Sequence, residues 1–191
     1  MTFLKKATLI YQLKITLKGI RPPIWRRIQI CNDNTLGDLH YAIQVSMGWG
    51  NSHLHCFEIV GTEYGSALDG DPNVKDETRF KLSRLIPIEK FKFNYLYDFG
   101  DSWQHEILLE KILEPDPKIK YPICIKAKRA CPPDDCGGVW GYAEFLEAIQ
   151  DPKNPEREEL LEWVGGLFDP EAVDLDEINA QLHSKYLRNP F

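Results

Sequence analysis

The residues best suited to chemistry lie in one fourteen-residue segment, Arg129–Tyr142. It holds two cysteines, two aspartates, two prolines and three glycines. Thiolates and carboxylates bind metal ions, prolines fix φ, and glycines allow positive φ. This combination predicts a rigid loop that either holds a ligand or locks two elements together.

A zinc ion is one ligand that this loop could hold. Cys131 and Cys136 are its two thiols, and Cys124 precedes Cys131 by seven residues. Structural zinc takes four tetrahedral ligands, usually from two close pairs, so His105 or Cys124 would have to complete the site. The alternative is that these thiols are small buried side chains of a tight loop. The spacing permits a zinc cofactor without requiring one.

A polar turn supplies the second candidate site, with Asp98, Asp101 and His105 as candidate catalytic residues. Carboxylates beside a histidine suit a metal-dependent hydrolase or a general acid–base pair. Aspartate and glycine are also ordinary turn residues, and Asp98 can simply bond to the turn backbone. We expect Cys131–Gly138 to pack against this turn and to form the deepest polar cleft with it.

Two further histidines, His53 and His55, are spaced to share one face of a strand. They could ligate a metal ion, but the sequence fixes no third ligand. The alternation of polar residues favours a solvent-facing strand edge instead.

Basic residues form two groups, one around a Pro-Pro turn and one just before the cysteines. The candidate nucleic-acid-binding residues are Arg21, Trp25, Arg26, Arg27, Lys126, Lys128 and Arg129. Cations beside an exposed aromatic ring suit phosphate contact and base stacking. A solvated hairpin face is the alternative, and the sequence does not show that the two groups converge.

The charge is distributed unevenly along the chain. The net charge is −6, but residues 1–129 carry +4 and residues 130–191 carry −10. A pI near 5.4 argues against non-specific coating of nucleic acid. The acidic end, with Glu156, Glu158 and Glu159, suits a protein-interaction domain that meets a basic partner.

Composition favours a single cytoplasmic domain of 191 residues without a membrane partner. The chain has no signal-peptide pattern, no long apolar stretch, and an odd number of cysteines, which is typical of a reducing compartment. Common catalytic motifs such as G-x-S-x-G, H-E-x-x-H and the P-loop are absent. A binding protein is therefore favoured over an enzyme, and no small-molecule substrate is indicated.

The hydrophobic periods predict an α+β fold with a mostly antiparallel sheet. Residues 1–129 form its sheet-rich part, beginning with a strand–strand–helix unit in β-grasp-like order, and residues 130–191 hold the cysteine loop and acidic helices. Thr35 and Asp38 predict a capped helix start, and Gly48 its end. The predicted strands cover residues 7–18, 24–30, 54–60, 90–97 and 103–113. The predicted helices cover residues 36–47, 142–150 and 156–164 and a segment that begins at residue 174. Residues 61–77 are predicted to be a mobile loop, and residues 80–86 a helix or a strand.

Five motifs together resemble the Ri-plasmid ORF-three-like family, which is found on plasmids and in mobile elements, archaea included. The motifs are Arg21–Arg26, Leu36–Trp49, Tyr97–His105, Arg129–Gly138 and Trp163–Pro170. The resemblance covers most of the chain. It implies this kind of fold and an association with DNA transposition, and it carries over no catalytic residue.

Overall fold

The computed structural model describes residues 8–67 and 71–184. Its strands are β1 (Ile10–Leu17), β2 (Trp25–Cys31), β3 (His55–Ile59), β4 (Thr62–Gly65), β5 (Lys75–Asp76), β6 (Lys92–Tyr97), β7 (Trp103–Leu113) and β8 (Ile123–Lys128). Its α-helices are α1 (Leu36–Met47), α2 (Leu82–Leu85), α3 (Gly138–Gln150), α4 (Arg157–Trp163) and α5 (Leu175–Leu182). Residue 7, the first residue of the predicted first strand, lies outside the described ranges.

The described strands form one sheet in the order β5-β4-β3-β6-β7-β1-β2-β8. Every neighbouring pair is antiparallel except β4 and β5, which are parallel. The α+β prediction with a mostly antiparallel sheet is confirmed, and so is the early strand–strand–helix order.

Alternating side chains give the sheet a buried face and a half-exposed face. In β2, Arg26, Ile28 and Ile30 are buried, while the alternating residues Trp25, Arg27 and Gln29 are only partly covered. The same alternation runs along β7 from Trp103. Because successive strand side chains point to opposite faces, residues directly opposite each other on neighbouring strands share a face.

Helix α1 begins and ends where the sequence predicts. The Thr35 hydroxyl accepts a hydrogen bond from the Asp38 backbone N–H at 3.1 Å, and the Asp38 carboxylate accepts one from the Thr35 N–H at 2.8 Å. Gly48 ends the helix with a φ of 91°. This reciprocal capping box satisfies donors that the first helical turn leaves free.

The prediction of a loop over residues 61–77 is wrong in part, because residues 62–65 and 75–76 form β4 and β5 and add them to the sheet. Tyr64 is buried and its ring contacts Phe80 edge-on at 5.0 Å. A strand of four residues is too short for its alternation to stand out in the sequence. Residues 68–70 of this segment lie outside the described ranges.

The C-terminal third is helical, as predicted, although α3 starts earlier than expected, at Gly138. α3 packs with α4, and α5 packs on α1 and β8. β8 itself was not predicted, because its burial pattern does not alternate regularly and its pairing with β2 contains a register shift. None of the described helices has the length and apolarity needed to cross a bilayer.

Candidate functional site

Strand pairing brings together the two basic groups that are far apart in the sequence. β2 lies between β1 and β8, and Arg27 pairs with Lys14 on one side and with Lys126 on the other. Trp25 pairs with Lys128 on the same strands. We call Lys14, Trp25, Arg27, Lys126 and Lys128 the basic strip.

An aromatic ring lies within the basic strip. The Lys14 ammonium is 5.2 Å from the centroid of the Trp25 ring, and the Arg27 guanidinium carbon is 5.1 Å from it. Lys126 and Lys128 are exposed, while Trp25 and Arg27 are half-buried. Both cations lie close enough for attraction to the negative face of the ring.

Carboxylates neutralise only part of this strip. Glu110 accepts hydrogen bonds from Arg27 Nε at 2.6 Å and Nη2 at 2.8 Å, and the bond to Arg27 lowers the pKa of Glu110. Glu171 lies 3.6 Å from the Lys128 ammonium. For the other two lysines, no carboxylate in the described ranges is within ion-pair distance. Arg21, in the turn between β1 and β2, is exposed as well.

Two of the predicted nucleic-acid contacts are instead structural. Arg26 is 2% exposed, and its Nε donates to the Ser46 carbonyl at 2.6 Å. Arg129 is 5% exposed; it donates to the Glu171 carboxylate at 2.6 Å and to the Pro22 carbonyl at 2.8 Å. Since both guanidinium groups are buried and bonded, neither can reach a phosphate, and both leave the candidate set.

The cysteine loop packs against the β6–β7 turn, as predicted. The Gly137 N–H donates to Asp101 Oδ2 at 3.1 Å, and the Trp49 indole donates to the Pro132 carbonyl at 3.0 Å. A Cβ on Gly138 would lie 2.5 Å from the Asp101 carbonyl oxygen, and its φ is +69°. Only glycine fits at this position, so the loop and the turn are held at a fixed distance.

Larger cavities lie away from this junction. One of about 550 Å³ lies beside Arg27 and Glu110 and one of about 490 Å³ beside His40 and Glu77, whereas the one beside Cys136 measures about 350 Å³. The predicted contact between loop and turn is confirmed, and the deepest polar cleft at this contact stays a prediction.

At the junction Asp98, Asp134 and Asp135 lie near one histidine, and Asp101 bonds to the cysteine loop from the β6–β7 turn. We call His53, Asp98, Asp101, Asp134 and Asp135 the acidic corner. His53 Nε2 lies 3.1 Å from Asp135 Oδ1, and His53 Nδ1 lies 3.8 Å from Asp98 Oδ2. One ligand atom from each of these three residues lies within 4.8 Å of the other two. The corner can hold a cation or position a proton.

Two of these carboxylates are partly withdrawn from water. Asp98 is 8% exposed, and its Oδ1 accepts a hydrogen bond from the Gly100 N–H at 2.9 Å. Asp134 Oδ2 accepts one from the Gly50 N–H at 3.0 Å, and burial raises the pKa of Asp134. A raised pKa means that this carboxylate is less stable as an anion here than in water.

His105 does not join the aspartates with which the sequence grouped it. It is fully buried, and its ring lies 5.4 Å from each of the rings of Trp49 and Tyr95. Burial lowers the pKa of His105 to about 3, so it is neutral at physiological pH. The hydrolase prediction relied on His105 beside Asp98 and Asp101; the structure places His53 there instead.

The predicted zinc ligands are not assembled either. Within residues 8–67 and 71–184, no three of Cys124, Cys131, Cys136 and His105 come within ligand distance of one another. Burial raises the pKa of both Cys131 and Cys136 to about 12, which keeps them as thiols. Their packing fits the alternative of small side chains in a tight loop.

Sequence reasoning missed a stacked pair of buried histidines. The rings of His40 and His55 are 3.4 Å apart and nearly parallel. His40 Nε2 lies 2.7 Å from Asn51 Oδ1, His40 Nδ1 lies 2.8 Å from the Tyr95 hydroxyl, and His55 Nε2 lies 2.9 Å from the Glu77 carboxylate. Burial, helped by His55, lowers the pKa of His40 to about 3. His55 is therefore not the solvent-facing residue that its spacing suggested.

The acidic helical face is exposed, as an interaction surface requires. Glu156, Glu158 and Glu159 all lie on the surface at the start of α4. No contact in the structure identifies what would bind them, so the protein-interaction alternative stays a prediction.

Comparison with known proteins places the whole architecture in one family. Residues 9–177 match the family described as plasmid pRiA4b ORF-3-like protein. The uncharacterized protein y4hQ of Sinorhizobium fredii is 36% identical over 173 residues, which is 89% of each chain. A crystal structure of a protein of unknown function, MM3350 from Methanosarcina mazei Go1, superposes with a TM-score of 0.83 at 42% identity, covering 90% of this chain and 98% of that one. The chain belongs to the plasmid pRiA4b ORF-3-like family.

Proposed function

We propose that this protein is a cytoplasmic, non-catalytic binding module that holds single-stranded nucleic acid on its basic strip. The proposal places the phosphates along the cations of β1, β2 and β8 and one base near Trp25. The main observation behind this proposal is a row of three cations directly opposite one another on neighbouring strands, formed by Lys14, Arg27 and Lys126.

Three neighbouring positive charges destabilise the folded chain unless negative charges compensate them. Cβ atoms of directly opposite residues are about 5 Å apart, and like charges at that distance repel. Glu110 compensates the middle cation but not both of its neighbours. A bound polyanion would relieve the remaining repulsion, which supports phosphate as the ligand.

The half-exposed face of the sheet suits a single strand better than a duplex. Trp25 can offer ring surface for stacking with an unpaired base, which a base inside a duplex cannot use. The net charge of −6 works against a broad coating of DNA, so binding would be confined to this strip.

The family supplies the biological setting of the proposal. Its description names a plasmid reading frame, and we propose that the module is an accessory in DNA transposition or another step in which plasmid DNA is transiently single-stranded. The strip would then hold the exposed strand without cutting it.

Fluorescence anisotropy with single-stranded and duplex oligonucleotides across a salt series tests this function. We expect tighter binding of the single strand, with affinity falling steeply as salt rises. Lys126→Ala should lower the slope of log K against log salt by about 0.7, the value for one lost contact to a single strand. Lys153→Ala, which removes an exposed lysine from the α3–α4 connection, should leave the slope unchanged.

Two results would contradict the proposal. One is the absence of binding even at low salt. The other is an equal response to Lys126→Ala and Lys153→Ala, because binding would then depend on net charge rather than on the strip.

A further inference from the structure

We infer that the acidic corner is a divalent-cation site with His53, Asp98 and Asp135 as its protein ligands. This inference does not rest on the proposed nucleic-acid binding, because the two surfaces share no residue. It concerns a different set of ligands from the cysteine-based zinc site that the sequence permits.

The first support is a charge imbalance. Asp98 and Asp135 both lie beside His53, which is their one basic ion-pair partner in the described parts of the chain. Asp98 is 92% buried, being 8% exposed, and its Oδ2 faces His53 at 3.8 Å, beyond hydrogen-bond length. Buried carboxylates are normally paired with a cation or bound to a metal ion. The corner lacks the full positive charge that this burial calls for.

The second support is the way the ligand atoms approach each other. His53 Nε2 is buried and lies 3.1 Å from Asp135 Oδ1, but the pair lacks hydrogen-bond geometry. Asp134 Oδ1 is likewise buried, and the Tyr97 hydroxyl lies close enough to this carboxyl group to influence its pKa. An ion would bind only one nitrogen of His53, and one ligand atom from each of His53, Asp98 and Asp135 lies within 4.8 Å of the other two. Small side-chain movements would bring these three atoms around a shared ion at about 2.1 Å from each.

The chemistry of the ligand set selects the class of ion. One imidazole with two carboxylates suits Mn²⁺, Co²⁺ or Zn²⁺, whereas Ca²⁺ and Mg²⁺ prefer sets made of oxygen alone. The thiols of Cys131 and Cys136 are not needed by this site. The remaining aspartates, Asp101 and Asp134, would stabilise the bound charge from the second layer while holding backbone N–H groups.

Mn²⁺ is the best probe, because thiols bind it poorly and it is read directly by electron paramagnetic resonance. Titration of metal-free protein should remove the signal of free Mn²⁺ with one ion bound per chain. His53→Gln and Asp135→Asn should each weaken binding by about tenfold or more. Asparagine tolerates the left-handed backbone at position 135, where φ is 60°, so this variant keeps the loop shape.

Matched controls separate a lost ligand from a lost fold. Asp71→Asn makes the same chemical change at an exposed aspartate far along the chain and should leave the affinity for Mn²⁺ unchanged. Thermal unfolding without metal should give the same midpoint for Asp135→Asn and the parent chain. Ring-proton signals of His53 should broaden at lower Mn²⁺ than those of the other four histidines.

Three results would overturn the inference. One is the absence of Mn²⁺ binding to the parent chain even at millimolar concentration. Another is binding by folded His53→Gln and Asp135→Asn that is as tight as binding by the parent. The third is broadening of another histidine before His53, which would place the ion elsewhere.

Discussion

The basic strip and the acidic corner hold opposite charges in opposite ways. On the strip, cations extend from regular strands, and Lys126 and Lys128 stay exposed to water. At the corner, the carboxylates lie on loops, and Asp98 is almost completely buried. Like charges exposed to water repel each other only weakly, so such a surface suits an extended, adaptable ligand. Buried charges are destabilising unless a compact partner of opposite charge lies at a fixed position.

The backbone shows the same contrast between the two regions. Asp98 and Asp135 have φ values of 56° and 60°, in the left-handed region that side chains other than glycine rarely adopt. The strip residues have no positive φ values, although the pairing of β2 with β8 shifts register between Arg27 and Ile28. Strain of this kind persists only where surrounding contacts enforce it, so the corner is the more tightly determined region.

The largest effect is expected from breaking the close contact between Gly138 and Asp101 at the corner. Gly138→Ala should destabilise the chain by roughly 3 kcal/mol, because a Cβ there meets the Asp101 carbonyl and the backbone is left-handed. Chemical denaturation measures this change. Gly61→Ala is the matched control: its φ is also +69°, but nothing lies within 4 Å of the added Cβ. A cost of only about 1 kcal/mol is expected there, and equal costs at both sites would refute the close contact.

Acid should weaken the core behind the corner without changing the charge of the strip. The pKa of His105 is lowered from 6.5 to about 3 in the folded chain, so the unfolded chain binds the proton first as pH falls. Its contribution to stability is complete above pH 6.5 and is lost on acidification toward pH 3. Between pH 6.5 and 5 the loss should be about 2 kcal/mol.

Denaturation of the parent and of His105→Phe at several pH values measures that slope. The phenylalanine variant should lose less stability on acidification over this range, because it has no proton to gain at this position. The buried His40, whose pKa is also about 3, should contribute a similar slope that remains in this variant. Identical slopes for the parent and for His105→Phe would contradict the neutral, buried state of His105.

The smallest effect is expected on the strip itself. Glu110→Gln removes the carboxylate that pairs with Arg27 and should raise the affinity for a single-stranded oligonucleotide by several-fold at low salt. The difference should shrink as salt rises, since screening weakens the contribution of each charge. Anisotropy titrations of Glu110→Gln and Glu106→Gln compare this carboxylate with one that pairs with Lys92 outside the strip. A larger gain from Glu106→Gln would move the binding surface away from Arg27.

Local rules were sufficient for much of the fold. The strand alternation, the capping box at Thr35 and the hairpin whose second strand begins at Trp103 each depend on residues close together in sequence. All three are present. The prediction of a loop over residues 61–77 missed two short strands. These strands are held by pairing with β3 and with each other, and no local sequence pattern indicates such pairing.

For the candidate functional residues, too, local sequence and tertiary structure decided different things. Sequence alone determined which residue types were available: the cations near Trp25, the aspartates of the β6–β7 turn, and the loop that meets it. Only the tertiary structure decided which of them are functional candidates. It buried Arg26 and His105 and placed Lys126 opposite Arg27 and Asp135 beside His53. Burial and long-range pairing are set by how whole elements pack, so two residues of the same type, such as His53 and His105, can lie in entirely different surroundings.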